Sequence, residues 1–101
     1  MSRSFSETCQ YALDKWGMDA QLDQLAEECA EFIIALNHLR RGRIKKEKLL
    51  EEIADVSVMA QEMKVYFYEQ IEVIEKRKIR RLNRKIDCEI NAGIKAGGLN
   101  E

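Results

Sequence analysis

The sequence predicts an all-α fold, and three observations carry that expectation. There is no proline in 101 residues, few glycines lie outside the last ten, and Leu, Ile, Ala, Glu, Lys and Arg are abundant. These are mostly strong helix formers. Apolar residues recur at spacings of three and four over long stretches, which is the helical period. With 46% hydrophobic and 35% charged residues the chain is globular rather than disordered, and its length holds one small core. A chain this small gains from sharing apolar faces with a second copy. The expected architecture is therefore an antiparallel bundle of about four helices, completed by dimerisation. The whole chain is expected to form one domain, with its core at about 4–86 and a flexible tail at about 91–101.

The first helix runs from about Ser4, a residue suited to the N-cap, to Trp16, and Gly17 ends it in a left-handed turn. Asp19 caps the second. Its stripe of Leu22, Leu25, Cys29, Phe32, Leu36 and Leu39 alternates spacings of three and four. The basic segment "RRGRIKK", with Gly42 at its centre, makes a short loop. The third helix spans about Glu47 to Phe67, with a break near Tyr68. The fourth runs from about Gln70 to Ile86 or beyond, with Ile71, Ile74, Ile79, Leu82 and Ile86 on one side, and "AGIKAGGLNE" frays.

The longest nearly apolar run is residues 53–60, too short to span a bilayer, and "MSRSFSETCQ" has no signal-peptide core. A soluble, cytoplasmic protein with no membrane partner is expected. Cys9, Cys29 and Cys88 are odd in number and form no CxxC pair, which suits reduced thiols without assigned chemistry. The net charge of −1 gives nucleic acid no strong long-range attraction.

Two acidic stretches break the ordinary pattern. "LAEECAEF" places Glu28 and Glu31 about 60° apart on the helix, flanking the Leu25/Cys29/Phe32 stripe, and Gln24 shares their arc. In "LLEEIADVSVMA", Glu52 and Asp55 repeat the i, i+3 spacing. There Ile53, Ala54, Val56, Val58, Met59 and Ala60 spread round the axis, so this helix is expected to be buried on more than one side. A buried carboxylate is costly unless it is paired, hydrogen-bonded or bound to metal. Two such pairs facing one another on antiparallel helices would make an all-oxygen cage for a hard cation, Mg²⁺ or Mn²⁺. A carboxylate-bridged iron bundle would need Glu-x-x-His, and neither Glu28 nor Glu31 has His three residues on. The only histidine, His38, reads as a surface residue. Glu27, about 40° from Glu31, either orients a water or faces solvent. The competing reading is that all these acids are solvated faces of the kind common on helices.

"EECAE" at residues 27–31 and "EIAD" at 52–55, separated by 20 residues, together resemble the EExxE…ExxD signature of the MazG-like all-α nucleotide pyrophosphohydrolases. "KWGMDAQLDQLAEECAE" is similar to the entry to that motif, and "KIRRL", Lys78 to Leu82, to the KxxR element of the family's last core helix. The resemblance covers about residues 15–85. It implies Mg²⁺-dependent hydrolysis of a nucleoside triphosphate to the monophosphate and pyrophosphate, a nucleotide-pool housekeeping role, and a homodimer or homotetramer. Carried over, the metal ligands are Glu28, Glu31, Glu52 and Asp55. Glu27 is the water-orienting or second-ion group, so Glu27 and Glu31 hold the catalytic assignment. Lys78 and Arg81 meet phosphates. Trp16, Gln21 and Gln24 complete the substrate-binding set, with Trp16 equally suited to anchor a core.

No second domain is expected within these residues, and none of them identifies a base. Phosphoribosyl-ATP is the alternative substrate within the class. From a different class, "RRGRIKK" and "KRKIRRLNRK" allow a non-enzymatic helical module that binds nucleic acid. The acids beside apolar residues and the absence of net positive charge weigh against it. Steeply salt-dependent binding of DNA or RNA without pyrophosphate release would favour it.

Overall fold

The computed structural model describes residues 2–98, and all the regular structure among them is helical: α1 (Phe5–Arg40), α2 (Lys46–Tyr66) and α3 (Tyr68–Gly98). The start of α1 is fixed locally. The Ser4 hydroxyl accepts from the Glu7 amide at 3.1 Å, and the Glu7 carboxylate accepts from the Ser4 amide at 3.2 Å. This capping box satisfies two amides that the first turn would otherwise leave without partners.

Gly17 interrupts the helical backbone inside α1, at φ 83 and ψ 164. Essentially only glycine occupies that region, because a Cβ there collides with its own backbone. Gly17 therefore ends one helical segment, as its position in the sequence predicts. The chain resumes helix at once, however, so Asp19 lies within the bounds of α1 and three helices stand where four are expected. The redirection matters. As one straight rod, α1 would place Cys9 about 46 Å from Arg40, whereas Tyr66 is about 30 Å along α2 from Lys46. Yet the Tyr66 hydroxyl donates to the Cys9 carbonyl at 2.7 Å. The bend at Gly17 brings the first segment back to the far end of α2.

The other end of α1 closes in a Schellman motif. Gly42 takes φ 68, its amide donates to the Leu39 carbonyl at 3.0 Å, and the Arg43 amide donates to the His38 carbonyl at 2.9 Å. The short connection turns the chain so that α2 runs antiparallel to α1. α2 ends where Phe67 leaves helical geometry (φ −125, ψ 42).

At this point the chain divides into two compact units, between Phe67 and Tyr68. In the first, the buried apolar side chains are Cys9, Ala12, Ala35, Met59 and Met63. The Leu25/Cys29/Phe32/Leu36/Leu39 stripe is only half-buried, and Leu22 is exposed. On α2, Met59 is buried, but Ile53 and Val58 on its other sides remain exposed, as do Ile33 and Ile34 on α1. The second unit is α3. It continues helical through residues 91–98, which the sequence assigns to a tail; residues 99–101 of that tail lie outside the described residues. Ile79, Leu82, Ile86, Ile90 and Ile94 are exposed along it. Among the described residues, no helix is long and apolar enough to cross a membrane.

Candidate metal centre

Because α1 and α2 are antiparallel neighbours, the acidic block of one meets that of the other. Glu28, Glu31 and Glu52 each present a carboxylate oxygen, and these oxygens lie within 4.8 Å of one another. Their surroundings differ. Glu31 is exposed, Glu28 is half-buried, and Glu52 is buried at 5% exposure.

Each of the two less accessible carboxylates is held on one side only. The Gln24 amide donates to Glu28 Oε1 at 2.8 Å, and Lys48 Nζ lies 2.9 Å from Glu52 Oε1. Both holders stand four residues before the acid they hold, on the same helix face. The second oxygens, Glu28 Oε2 and Glu52 Oε2, are buried and have no hydrogen-bond partner. An oxygen left in that state costs about 1–3 kcal/mol, so such atoms need an explanation.

The electrostatics agree with the geometry. The Glu31 carboxyl is held above its ordinary range, first by the negative charge of Glu28, then by desolvation and by Glu52, Glu27 and Asp55. Lys48 is shifted upward, first by its hydrogen bond to Glu52 and then by that residue's charge. Three carboxylates against one ammonium leave two negative charges uncompensated.

Two of these acids, Glu31 and Glu52, also form a wall of a cavity of about 310 Å³, which Ile34, Ala35, His38, Ile44 and Lys48 line with them. The half-buried His38 therefore faces the same space as the acids, where the sequence reads it as an ordinary surface residue. Lys48 was also missed, although its i, i+4 relation to Glu52 was open to inspection.

Asp55 and Glu27 are exposed and stand outside the trio whose oxygens meet, though both charges are felt at Glu31. Trp16, Gln21 and Gln24 line a smaller cavity of about 260 Å³ with Ala20. Trp16 is 59% exposed, which does not suit a core anchor, and its ring lies 5.6 Å from Lys15 Nζ, while Gln21 is buried. Lys78 and Arg81 are exposed and one turn apart on α3, in the second unit.

The donor set fits a hard divalent cation, being oxygen only and doubly negative after Lys48 is counted. Neighbouring oxygens around Mg²⁺ are about 3.0 Å apart and opposed ones about 4.2 Å, so the three oxygens, within 4.8 Å of one another, would have to draw inward to share one ion. No protein family, curated protein or solved structure matches the chain.

Proposed function

We propose that the protein is a Mg²⁺-dependent nucleoside triphosphate pyrophosphohydrolase, with Glu28, Glu31 and Glu52 as the metal-holding carboxylates. One observation carries the reading. Two antiparallel helices bring three carboxylates together, and two of them keep a buried oxygen without a partner. The resemblance of the "EECAE" and "EIAD" blocks to the MazG-like signature supports the choice of reaction.

A bound Mg²⁺, for which Mn²⁺ can substitute, supplies charge neutralisation and polarises phosphoryl oxygens and water. The chain's own residues do the rest. Glu27 and Asp55, whose charges reach Glu31, are suited to orienting the attacking water or to a second ion. His38 and Lys48 line the cavity beside the acids and offer donors to a phosphate chain. Trp16 offers an exposed ring on which a base can stack, with the Gln21 and Gln24 amides beside it. Lys78 and Arg81, at i and i+3, can grip phosphates from one face of α3.

The reading includes a homodimer or homotetramer that completes a helical bundle. Ile33 and Val58, at 58% and 51% exposure, are among the apolar side chains that a single chain leaves uncovered. A second copy would cover them at low cost. Light scattering at micromolar concentration should give at least twice the 11.8 kDa chain mass; a folded monomer would refute this part.

The catalytic reading is tested by incubating the protein with Mg²⁺ and a panel of canonical and modified nucleoside triphosphates plus phosphoribosyl-ATP, with products separated by chromatography. Monophosphate and pyrophosphate are expected from at least one member. Orthophosphate alone, or no turnover across the panel, would overturn it.

A further inference from the structure

We propose that Gln24 and Lys48 are positioning residues of the acidic centre: each fixes one oxygen of a carboxylate and thereby leaves the other oxygen for a divalent cation. This rests on the metal-dependent reading above and assigns to two further residues the task of shaping the site. The observation behind it is a pattern that occurs twice. On α1, Gln24 Nε2 lies 2.8 Å from Glu28 Oε1 while Glu28 Oε2 is buried without a partner. On α2, Lys48 Nζ lies 2.9 Å from Glu52 Oε1 while Glu52 Oε2 is buried without a partner. In both cases the holder precedes the acid by four residues, and in both the acid belongs to the converging trio.

The physical need is plain. A glutamate carboxylate turns almost freely about its last bond, and near two like charges it turns away from them if water is within reach. A donor on one oxygen removes that freedom. Glu52 is at 5% exposure, so its second oxygen cannot be relieved by swinging out into solvent while the first is held. Metal sites in general depend on such outer partners, whose loss weakens metal binding by roughly 10–100-fold. Among the described residues Glu31 has no such holder, and it is exposed, so it is the ligand that adjusts when the other two are already set.

The two holders differ in charge, which makes the idea separable from simple electrostatics. Gln24 is neutral and acts by its hydrogen bond alone. Lys48 also carries a positive charge, which opposes a second cation nearby. Replacing it by Gln removes the charge and keeps a donor; replacing it by Met removes both. The comparison of those two variants therefore reads the hydrogen bond at constant charge.

The test is Mn²⁺ binding to the purified full chain, without nucleotide, followed by the electron paramagnetic resonance signal of free Mn²⁺. Melting in EDTA is recorded alongside to confirm that each variant is folded, which is expected because Gln24 is exposed and the Lys48 side chain is 55% exposed. Gln24→Met should raise the Mn²⁺ Kd by about 10-fold or more over wild type. Lys48→Met should bind about 10-fold more weakly than Lys48→Gln, and Lys48→Gln should bind at least as tightly as wild type. If wild type binds Mn²⁺ but Gln24→Met matches it, or the two Lys48 variants match one another, the positioning role of that residue is overturned and the metal centre stands. If wild type binds no Mn²⁺ at millimolar concentration, the metal-dependent reading falls, and this inference with it.

Discussion

Replacing Glu52 by Gln is the sharpest probe of the acidic centre, because it keeps the side-chain shape and removes one charge from the trio. The magnitudes follow from the surroundings of the side chain. Glu52 Oε2 is buried and unpartnered, a condition that costs about 1–3 kcal/mol. Its ion pair with Lys48 offsets little, at most about 1 kcal/mol, because the lysine is mostly in water. In the variant, an amide nitrogen can donate towards neighbouring carboxylates that had only repulsion to offer. Without metal, Glu52→Gln should therefore equal or exceed wild type in stability, by about 1 kcal/mol. For a unit of this size that is a rise in Tm of about 4–8 °C. With Mg²⁺ at ten times its dissociation constant, wild type should gain about 1.4 kcal/mol by mass action, and the variant should gain almost nothing. Circular dichroism melts of both proteins in EDTA and in Mg²⁺ measure all four quantities. Asp55→Asn supplies the contrast. Asp55 stands outside the trio, so this variant should keep its Mg²⁺ stabilisation even where turnover falls. A Glu52→Gln protein that is less stable than wild type in EDTA, yet equally stabilised by Mg²⁺, would refute the reasoning.

Three further outcomes are expected. Gly17→Ala should cost about 1–3 kcal/mol in urea unfolding through backbone strain alone, since a Cβ there meets nothing within 4 Å; an unchanged midpoint would show that the bend is dispensable. Tyr66 is pushed up to about 12 by burial first and then by the charge of Glu62, so ultraviolet titration should show one late tyrosine that disappears in Tyr66→Phe. Because its folded pKa is raised, the stability it contributes is complete below the ordinary value of 10.0 and lost as pH rises towards 12. Glu31 is also raised, so its contribution to the metal-free protein is complete below its ordinary 4.5 and fades as pH climbs through the shifted value. Melts in EDTA between pH 4 and 7 should therefore fall more steeply for wild type than for Glu31→Gln, and parallel curves would contradict the crowding of charge around Glu31.

What could be read from the sequence and what could not follows from the range of the forces involved. The Ser4 N-cap, the positive φ of Gly17 and the glycine closing α1 at Gly42 depend on residues within five positions of one another, and all three were legible as helix boundaries; the part of Glu7 in capping Ser4 was not. Whether a boundary opens a loop or merely bends a rod is decided further away. The Tyr66 hydroxyl on the Cys9 carbonyl, 57 residues apart, belongs to the arrangement that makes Gly17 a bend. α3 runs further into the expected tail than its glycines suggest, for a local reason. The glycines of "AGIKAGG" weaken a helix by about 1 kcal/mol each, but Ile86, Ile90 and Ile94 continue its spacing of four, and the helix follows that spacing through Gly98.

The acids divide along the same line. Their i, i+3 spacing placed each pair on one helix face, but the register of α1 against α2 decides which members meet. That register brings Glu52 to Glu28 and Glu31 and leaves Asp55, one turn further along, exposed. It also gives Gln24 and Lys48 their importance. A glutamine or lysine four residues before a glutamate is ordinary on any helix, and here it becomes consequential because the glutamate it holds converges with two others. His38, read from the sequence as a surface residue, is half-buried, and a lone histidine near a helix end carries no local sign of the cavity it lines together with Ile44 and Lys48. Local chemistry thus nominates the residues of this site, and the α1–α2 register selects among them.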